Sequence, residues 1–206
     1  MKVLVFGANG KTGGLVVERA VAAGHDVSVL VRDASKYGRA GVRVIQGDAT
    51  KAEDVKGAME GQEAAMDSIG GTMPWKATTL EATAVRNIVG AMRTAGARRL
   101  IVVSSMGVGE SAGQSPWWYR DLLVPTFLRG STADKTAMES ELRASGLEWV
   151  IARPPILKDG AATGSVRVLG SGEIGHSITR AGLAEWLVEQ LVGDAYVGQA
   201  VTVVNR

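Results

Sequence analysis

The chain has 206 residues, 46% of them hydrophobic, which is enough to bury one sizeable core in a single domain spanning 1–206. It has no cysteine and only two histidines, which excludes disulfides, zinc–thiolate sites and cysteine nucleophiles, so we expect no metal site. The net charge of +2 is too small and dispersed for a nucleic-acid partner. No apolar stretch reaches the roughly 20 residues of a membrane span, so we expect a cytoplasmic protein without a membrane partner.

Short apolar runs alternate with longer stretches of helical periodicity from the first residues onward. The runs predict strands at Lys2–Phe6, Asp26–Val31, 42–46, 63–69, Arg99–Val103, 147–152 and 199–203, with a short further strand at 165–169. The periodic stretches predict helices at 11–23, 51–60, 76–95, 132–145 and 179–192. Strands that alternate with helices indicate a parallel sheet covered on both faces. We therefore predict an α/β fold with a doubly wound parallel sheet, a three-layer α/β/α Rossmann fold.

Two less regular segments, 106–130 and 153–178, follow the carboxyl ends of late strands. In doubly wound sheets, ligands bind beyond those ends. We interpret both segments as substrate-side loops of the one domain.

A glycine-rich loop, Gly-Ala-Asn-Gly-Lys-Thr-Gly at residues 7–13, joins the first strand to the first helix. Glycine allows a tight turn and a close approach of the backbone to a pyrophosphate, and the helix N-terminus supplies unpaired N–H groups. The strand–turn–helix context distinguishes this loop from an ordinary glycine-rich turn. We expect a dinucleotide to be held by Gly7, Asn9, Gly10, Lys11, Thr12 and Gly13.

The spacing of these glycines, Gly-x-x-Gly-x-x-Gly, resembles that of extended and atypical short-chain dehydrogenase/reductases. Further segments resemble the flavin reductase/biliverdin-IXβ reductase group of atypical members, at residues 29–33, 47–48, 86–89, 104–105, 145–147 and 153–155. The resemblance runs from residue 1 to the final strand, and the nucleotide half carries most of its specificity. It implies a nicotinamide cofactor, NADP(H) or NAD(H).

The end of the second strand, Arg32-Asp33, bears on the choice between these two cofactors. An arginine at this place accommodates a 2′-phosphate, so Arg32 favours NADP(H) through charge-assisted hydrogen bonds. The alternative is an exposed Arg32 that pairs with Asp33. Asp33 could also reach the ribose hydroxyls and permit NAD(H).

Two further segments are assigned to the cofactor by the resemblance. Asp48 and Ala49 follow the third strand, where the resemblance places Asp48 beside the adenine amine. The alternative is an N-cap for the helix that starts near Lys51, and both could hold. The resemblance also assigns the lining of the ribose and of the reactive half to the main chain of Ser68, Ile69 and Gly70.

The Tyr-x-x-x-Lys pair of typical short-chain dehydrogenases is missing, since none of the three tyrosines has a lysine four residues on. The related pattern is Ser131-x-x-x-Lys135, near the start of a predicted helix. Lys135 is then placed to bond the nicotinamide ribose, but the phenolic proton donor is absent. Biliverdin-IXβ reductase-like proteins also lack this tyrosine, so the departure supports that subgroup.

Ser104 and Ser105 end the fifth strand, at the position of the catalytic serine of the superfamily. We expect one of them, Ser104 first, to bond nicotinamide or substrate; the alternative is capping of the strand end. Pro154 and Pro155 fix the main chain after the sixth strand, where Ile156 could bond the carboxamide through its main chain; the alternative is a rigid strand exit.

The aromatic cluster Trp117-Trp118-Tyr119 lies in the first substrate-side loop, and aromatic faces stack well on planar ligands. The alternative is a lid or dimer contact packed on its own aromatics. His176 lies in the second loop and could donate a proton. Glu139 and Glu141 share a predicted helix, which we interpret as a solvated face.

The leading hypothesis is an NADPH-dependent reductase that transfers hydride to a small planar acceptor, either a quinone or a flavin (FMN or FAD) as substrate. The first alternative is a regulator that binds NADP(H) without catalysis and reports redox state. The second is an epimerase or isomerase of a small metabolite, which the missing tyrosine disfavours. We expect a monomer or a homodimer.

Overall fold

The predicted alternation of strands and helices is present in the computed structural model, which describes residues 1–71, 75–162 and 164–205. Its elements are β1 (Lys2–Phe6), α1 (Lys11–Ala22), β2 (Asp26–Val31), β3 (Arg43–Gln46), α2 (Ala52–Met59), β4 (Ala64–Asp67), α3 (Leu80–Ala95), β5 (Arg99–Val103), α4 (Arg129–Arg143), β6 (Glu148–Ala152), β7 (Ile156–Lys158), β8 (Val166–Val168), β9 (Ser177–Thr179), α5 (Arg180–Glu189), β10 (Gln199–Val201) and β11 (Val203–Asn205). Within these ranges, seven strands form one parallel sheet in the order β10-β6-β5-β4-β1-β2-β3. This confirms the doubly wound Rossmann fold.

Helices cover both faces of the sheet because its central strands are apolar on both sides. In β1, Val3 and Val5 face one core while Leu4 and Phe6 face the other, and all four side chains are fully buried. The first core is closed by α1 and α5, which pack together. The second is closed by α2, α3 and α4. The predicted three layers are therefore present.

The strand order reverses at β1, which pairs with β2 on one side and β4 on the other. The crossovers from these strands leave in opposite directions, so a crevice opens beyond their carboxyl ends. The residues that follow β1, β2, β4, β5 and β6 all approach this crevice, and they include most of the predicted site.

The last predicted strand, 199–203, is wrong in extent, because the chain forms two short strands that belong to different sheets. β10 extends the main sheet beside β6, and after Thr202 the chain continues as β11, which pairs antiparallel with β8. The short predicted strand at 165–169 is thereby confirmed as β8. Both predicted loops also contain short elements: a 3-10 helix at Gly109–Gln114, a π-helical turn at Tyr119–Leu123, and the strands β7, β8 and β9.

Two helix starts differ from their predictions by three or four residues. The helix predicted from 76 begins at Leu80, and the one predicted from 132 begins at Arg129. The early start of α4 places Gly130 against the main chain of Lys76, where a Cβ on Gly130 would lie 2.1 Å from the Lys76 oxygen. Among the residues described, no helix is long and apolar enough to cross a bilayer.

Candidate functional site

The loop between β1 and α1 has the close backbone packing expected of a phosphate-binding turn. Gly7 adopts φ +73°, and the N–H of Gly10 donates to the Gly7 carbonyl at 2.9 Å. A Cβ on Gly13 would lie 2.2 Å from the same oxygen, so only glycine lets α1 begin this close to β1. Gly10 is the N-cap of α1 and brings no side chain, which leaves the first amides of the helix open to an anion. These residues fit a dinucleotide pyrophosphate.

Lys11, predicted to contact phosphate, is paired with an acidic side chain from the second substrate-side loop. Its Nζ lies 2.9 Å from Asp159 Oδ2, and Arg180 Nη1 lies 2.5 Å from the other oxygen of that carboxylate. The bond from Lys11 and the charge of Arg180 hold the pKa of Asp159 below its ordinary value. Because Lys11 and Asp159 are both exposed, this ion pair is weak and can yield to a phosphate.

The end of β2 presents an exposed arginine, Arg32. No hydrogen bond or ion pair within the described ranges engages its guanidinium, although its charge contributes to the lowered pKa of Asp48. The alternative in which Arg32 pairs with Asp33 is wrong, because Asp33 accepts bonds from Ser35 and lies 2.9 Å from Lys36. Bonds from these two residues lower the pKa of Asp33. Arg32 is therefore available to an anionic ligand.

A second arginine near this corner escaped the sequence analysis. Arg39 lies across the start of α1, so that a Cβ on Gly14 would meet its guanidinium at 2.2 Å, and its Nε lies 3.2 Å from Glu18. Arg39 lies in a turn that contains glycines and other charged residues, and no sequence motif distinguishes it.

Asp48 closes a turn and does not cap the following helix. Its Oδ1 accepts from both the N–H and the hydroxyl of Thr50, which lowers the pKa of the carboxyl. The N-cap of α2 is Lys51, so the capping alternative is wrong. The carbonyl of Ala49 accepts from Asn87 Nδ2 at 3.0 Å, which ties this segment to α3.

The segment that follows β4 lies against the glycine loop. The Ser68 hydroxyl donates to the Phe6 carbonyl at 3.0 Å, and a Cβ on Gly7 would lie 2.7 Å from the Ser68 main chain. Ile69 donates its N–H to Asp67 Oδ1 at 2.9 Å, and Gly70 is exposed at the mouth of the crevice. These contacts fix the main chain of this segment beside the glycine loop.

Ser104 is buried, and its hydroxyl faces the protein interior. Its Oγ donates to Glu139 Oε1 at 2.7 Å, and the same carboxylate receives two bonds from Arg153, at 2.9 and 2.5 Å. Burial works to raise the pKa of Glu139, but the bonds from Arg153 and Ser104 outweigh it and hold that pKa below its ordinary value. Ser105, half-buried, lies beside Ser104 at the end of β5.

The interpretation of Glu139 as part of a solvated face is therefore wrong, while Glu141 is half-exposed and paired with Arg86 at 2.6 Å. Glu139 is 1% exposed because it is the counter-ion of an equally buried Arg153 at the end of β6. The charged residue at a strand end, Arg153, was the signal that an acid on a neighbouring helix should face inward.

Lys135 forms a short ion pair with Glu81 at the N-terminus of α3. The neighbouring Asp134 accepts from the N–H groups of Glu81 and Ala82, each at 3.0 Å, and so caps α3 from another helix. Burial raises the pKa of Glu81, although Lys135 opposes this. The predicted position of Lys135 on α4 is confirmed, but its acidic partner Glu81 was missed because it is distant in sequence.

Asp67 is a further buried acid that sequence reasoning did not single out. It is the last residue of β4 and is 2% exposed. Burial raises the pKa of Asp67 to about 7, although the N–H of Ile69 donates to it. An aspartate at the end of the apolar run Ala-Ala-Met was the signal that could have identified it.

Two prolines make the segment that follows β6 rigid, and this segment borders a cleft. Pro154 and Pro155 are buried, and the Pro154 carbonyl accepts from the N–H of Met106 at 3.0 Å. Ile156 is 46% exposed and begins β7.

Three of the four predicted substrate residues line that cleft, which has a volume of about 180 Å³ and lies beyond the carboxyl ends of β5 and β6. Its walls are formed by Met106, Pro116, Trp118, Tyr119, Ile156, Lys158, Gly175, His176 and Ser177. Tyr119 is buried, packs edge-on against Trp118, and donates its hydroxyl to the Met106 carbonyl. Trp117 is 71% exposed and lies outside this lining.

Comparisons with known proteins agree with the fold and with membership of an NAD(P)H-binding family. The model of the NAD(P)H-binding family matches residues 7–193. An uncharacterized chloroplastic protein of Arabidopsis thaliana, At2g34460, is 29% identical over all of this chain and 77% of its own length.

Among solved structures, the anaerobilin reductase ChuY of Escherichia coli O157:H7 superimposes with a TM-score of 0.81 and 29% identity, over 100% of this chain and 97% of its own. A short-chain dehydrogenase/reductase of Veillonella parvula in complex with NADP is 17% identical with a TM-score of 0.77, over 99% and 94%, which shows a shared fold. These neighbours are consistent with the resemblance to atypical short-chain dehydrogenase/reductases. The chain belongs to the NAD(P)H-binding family.

Proposed function

We propose that the protein is an NADPH-dependent reductase that transfers hydride to a small planar acceptor, a flavin or a quinone. The observation that carries this proposal is the pairing of two sites at one sheet edge. The glycine loop accepts a dinucleotide at β1, and a cleft lined by Trp118, Tyr119 and His176 opens beyond β5 and β6. Aromatic side chains beside a cofactor crevice suit a planar ligand. The likeness to an anaerobilin reductase supports the same class of reaction.

In this proposal, the dinucleotide is bound by the glycine loop and by the residues that follow β2, β3, β4 and β6. Bound NADPH supplies the hydride. Ser105, His176 and Lys135 are the side chains proposed to orient the reacting groups. Ser104 is proposed only to support the end of β5, because its hydroxyl donates to Glu139 and its N–H donates to the Ala152 carbonyl. Arg32 is proposed to select NADPH, because an unpaired guanidinium at this corner suits a 2′-phosphate.

The reductase proposal is tested by incubating the protein with NADPH and either FMN or a simple quinone, while the absorbance of the reduced nicotinamide is followed. We expect oxidation above the rate without protein. A protein that binds NADPH but oxidises none of it with any acceptor contradicts the proposal.

That outcome would favour a second candidate, a regulator that binds NADP(H) without catalysis. One observation supports this candidate. The Ser104 hydroxyl donates to Glu139 and Lys135 pairs with Glu81, so both side chains are already engaged within the protein. Binding without turnover, measured by nicotinamide fluorescence, separates the two functions.

The cofactor preference is tested by Arg32→Ala. Loss of one charged contact to phosphate should weaken NADPH binding by roughly 10- to 100-fold and leave NADH binding unchanged. Arg43→Ala is the matched control, since Arg43 is also exposed but lies at the amino end of β3, the opposite edge of the sheet. Equal NADPH affinity in the wild type and the Arg32 variant would show that Arg32 does not bind the 2′-phosphate.

A further inference from the structure

One carboxylate joins the glycine loop to the second substrate-side loop and to α5. Lys11 Nζ lies 2.9 Å from Asp159 Oδ2, and Arg180 Nη1 lies 2.5 Å from Asp159 Oδ1. Each oxygen of this carboxylate therefore has a cation of its own. Across residues 1–71, 75–162 and 164–205, neither Lys11 nor Arg180 has a second acidic partner.

The register of two short strands explains why Asp159 and Arg180 meet. β7 and β9 pair in parallel, with Lys158 opposite Thr179. The next residue of each strand, Asp159 in one and Arg180 in the other, therefore leaves the ladder beside its counterpart. Arg180 is also the first residue of α5, which packs on α1, and Lys11 is the first residue of α1. The fold thus brings two cations together at the glycine loop.

The three side chains differ in how firmly the protein holds them. The side chain of Arg180 is 21% exposed, whereas those of Lys11 and Asp159 are 72% and 64% exposed. The guanidinium is therefore mostly enclosed by the protein, while the carboxylate lies in solvent. Since exposed ion pairs contribute little to stability, the carboxylate is the member of the group that another anion displaces easily.

The charge of this group suits a pyrophosphate better than a single carboxylate. Two cations face one negative charge, so one positive charge is left unbalanced. A pyrophosphate carries a negative charge on each of its phosphates, and arginine binds phosphate oxygens through charge-assisted hydrogen bonds. The group therefore has the charge and the donors for both phosphates of a dinucleotide.

The two helices contribute different donors to this place. Gly10, the N-cap of α1, has no side chain that would satisfy the first amides of that helix. In α5, by contrast, the Thr179 hydroxyl already accepts from the N–H of Gly182 at 3.2 Å. What α5 offers to an anion is therefore the guanidinium of Arg180.

We propose that Lys11 and Arg180 together bind the pyrophosphate of the dinucleotide, and that Asp159 is the internal anion that the pyrophosphate replaces. This inference rests on the dinucleotide site of the proposed function and adds two residues to it, one that binds and one that competes. Because NADPH and NADH share the pyrophosphate, both residues act on the two cofactors alike. Arg32 differs from them, since its proposed partner, the 2′-phosphate, exists only in NADPH.

The first test is a substitution that should improve binding. Asp159→Asn keeps the size of the side chain and removes its charge, so the pyrophosphate no longer competes with an internal anion. We expect the dissociation constants of NADPH and NADH, measured by nicotinamide fluorescence, to fall together by about 5-fold. Misfolding does not produce a gain in affinity. An unchanged or weaker affinity for both cofactors would overturn the inference.

Glu173→Gln is the matched control for this substitution. Glu173 is also an exposed acid of the second substrate-side loop that pairs with an arginine, Arg167, at 2.8 Å. Its other bond is to the N–H of Gly170, in the same loop. We expect this variant to bind both cofactors as the wild type does. A gain equal to that of Asp159→Asn would assign the effect to overall charge and overturn the inference.

Removal of the guanidinium should have the opposite effect. Arg180→Gln should weaken the binding of NADPH and of NADH by about 10-fold each, and the loss should shrink at high salt. Arg180→Lys, which keeps the positive charge, should recover part of the affinity. Thermal melting checks that both variants are folded. If Arg180→Gln weakens NADPH binding alone, or weakens neither cofactor, the guanidinium does not bind the pyrophosphate.

These measurements separate the inference from the reductase function. Affinities that change as expected in a protein that oxidises no NADPH support the pyrophosphate contacts and contradict the reductase function. Unchanged affinities in variants of an active reductase overturn the inference alone. A wild type that binds neither dinucleotide overturns both.

Discussion

Glu139 and Arg153 form an ion pair closed off from solvent, with each side chain 1% exposed and Arg153 Nη2 2.5 Å from Glu139 Oε2. The pair connects α4 to the end of β6, and the Ser104 hydroxyl joins it from the end of β5. Glu110 adds a partly exposed contact at 3.0 Å from Arg153. Three elements at the edge of the crevice are thereby fixed by one carboxylate.

Glu139→Gln should lower the free energy of unfolding by about 3 kcal/mol or more, because it leaves the buried Arg153 with only Glu110, an exposed residue, as its counter-ion. Glu141→Gln on the same helix breaks an exposed ion pair and should cost at most about 1 kcal/mol. Urea denaturation of both variants measures the difference. Equal losses would mean that the Glu139–Arg153 pair adds no more than a surface contact.

Gly13→Ala should abolish high-affinity NADPH binding and destabilise the fold by about 1–3 kcal/mol, because the new Cβ meets the Gly7 carbonyl at 2.2 Å. Gly90→Ala, in the exposed middle of α3 with no atom within 4 Å of its Cβ position, should stabilise the protein by up to about 1 kcal/mol. Calorimetric titration with NADPH and thermal unfolding check both variants. Normal binding by Gly13→Ala would contradict the tight turn.

Asp67 should make stability depend on pH between about 4 and 7. Its folded pKa of about 7 lies above the ordinary value of 3.8, so the native state binds more protons than the unfolded state in this window. Stability from this group is therefore present below about pH 4 and is lost as pH rises to about 7, by roughly 3 to 4 kcal/mol. Asp67→Asn removes the loss, so the variant should gain stability relative to wild type as pH rises. Urea denaturation at about pH 5 and about pH 8 measures this, and a constant difference would contradict it.

Trp118→Ala should raise the KM for a planar acceptor about 10-fold and leave the KM for NADPH unchanged. Trp118 lines the cleft, and stacking of an aromatic side chain on a planar ring contributes about 1–3 kcal/mol to binding. Trp117→Ala is the paired control, since Trp117 is 71% exposed and outside the cleft lining. Steady-state kinetics with FMN and a quinone give both constants. If both substitutions raise the acceptor KM equally, the acceptor binds on the outer aromatic surface.

The sequence predicts the sheet well because each central strand is a short apolar run between breakers. β1, β2 and β5 have their predicted bounds, and glycines with positive φ, such as Gly24 and Gly96, follow α1 and α3 where helix stops were expected. The end of the chain is different. A run of apolar residues at 199–203 does not reveal that the chain changes partners at Thr202, because the choice between β6 and β8 depends on tertiary position.

The prediction of the cofactor side of the site rests on local signals, as in the glycine loop and Arg32. The buried charged residues have no such local signal. Periodicity alone places Glu139 on a polar helix, and its burial follows from Arg153, which lies 14 positions away on another element. Lys135 was singled out by its spacing from Ser131, yet its partner Glu81 is 54 positions earlier. Pairings between residues this far apart in the sequence are determined by tertiary packing, so hydrophobic periodicity does not reveal them.

The cap that Asp134 places on α3 has a consequence for how the chain assembles. The amides of Glu81 and Ala82 receive their acceptor from a residue more than 50 positions later, so a nascent chain that ends before α4 cannot complete the start of α3. Contacts between distant segments slow folding because a long loop must close first. We therefore expect the segment up to α3 to complete its fold only after α4 has been synthesised. The first and second halves of the chain should then fold cooperatively.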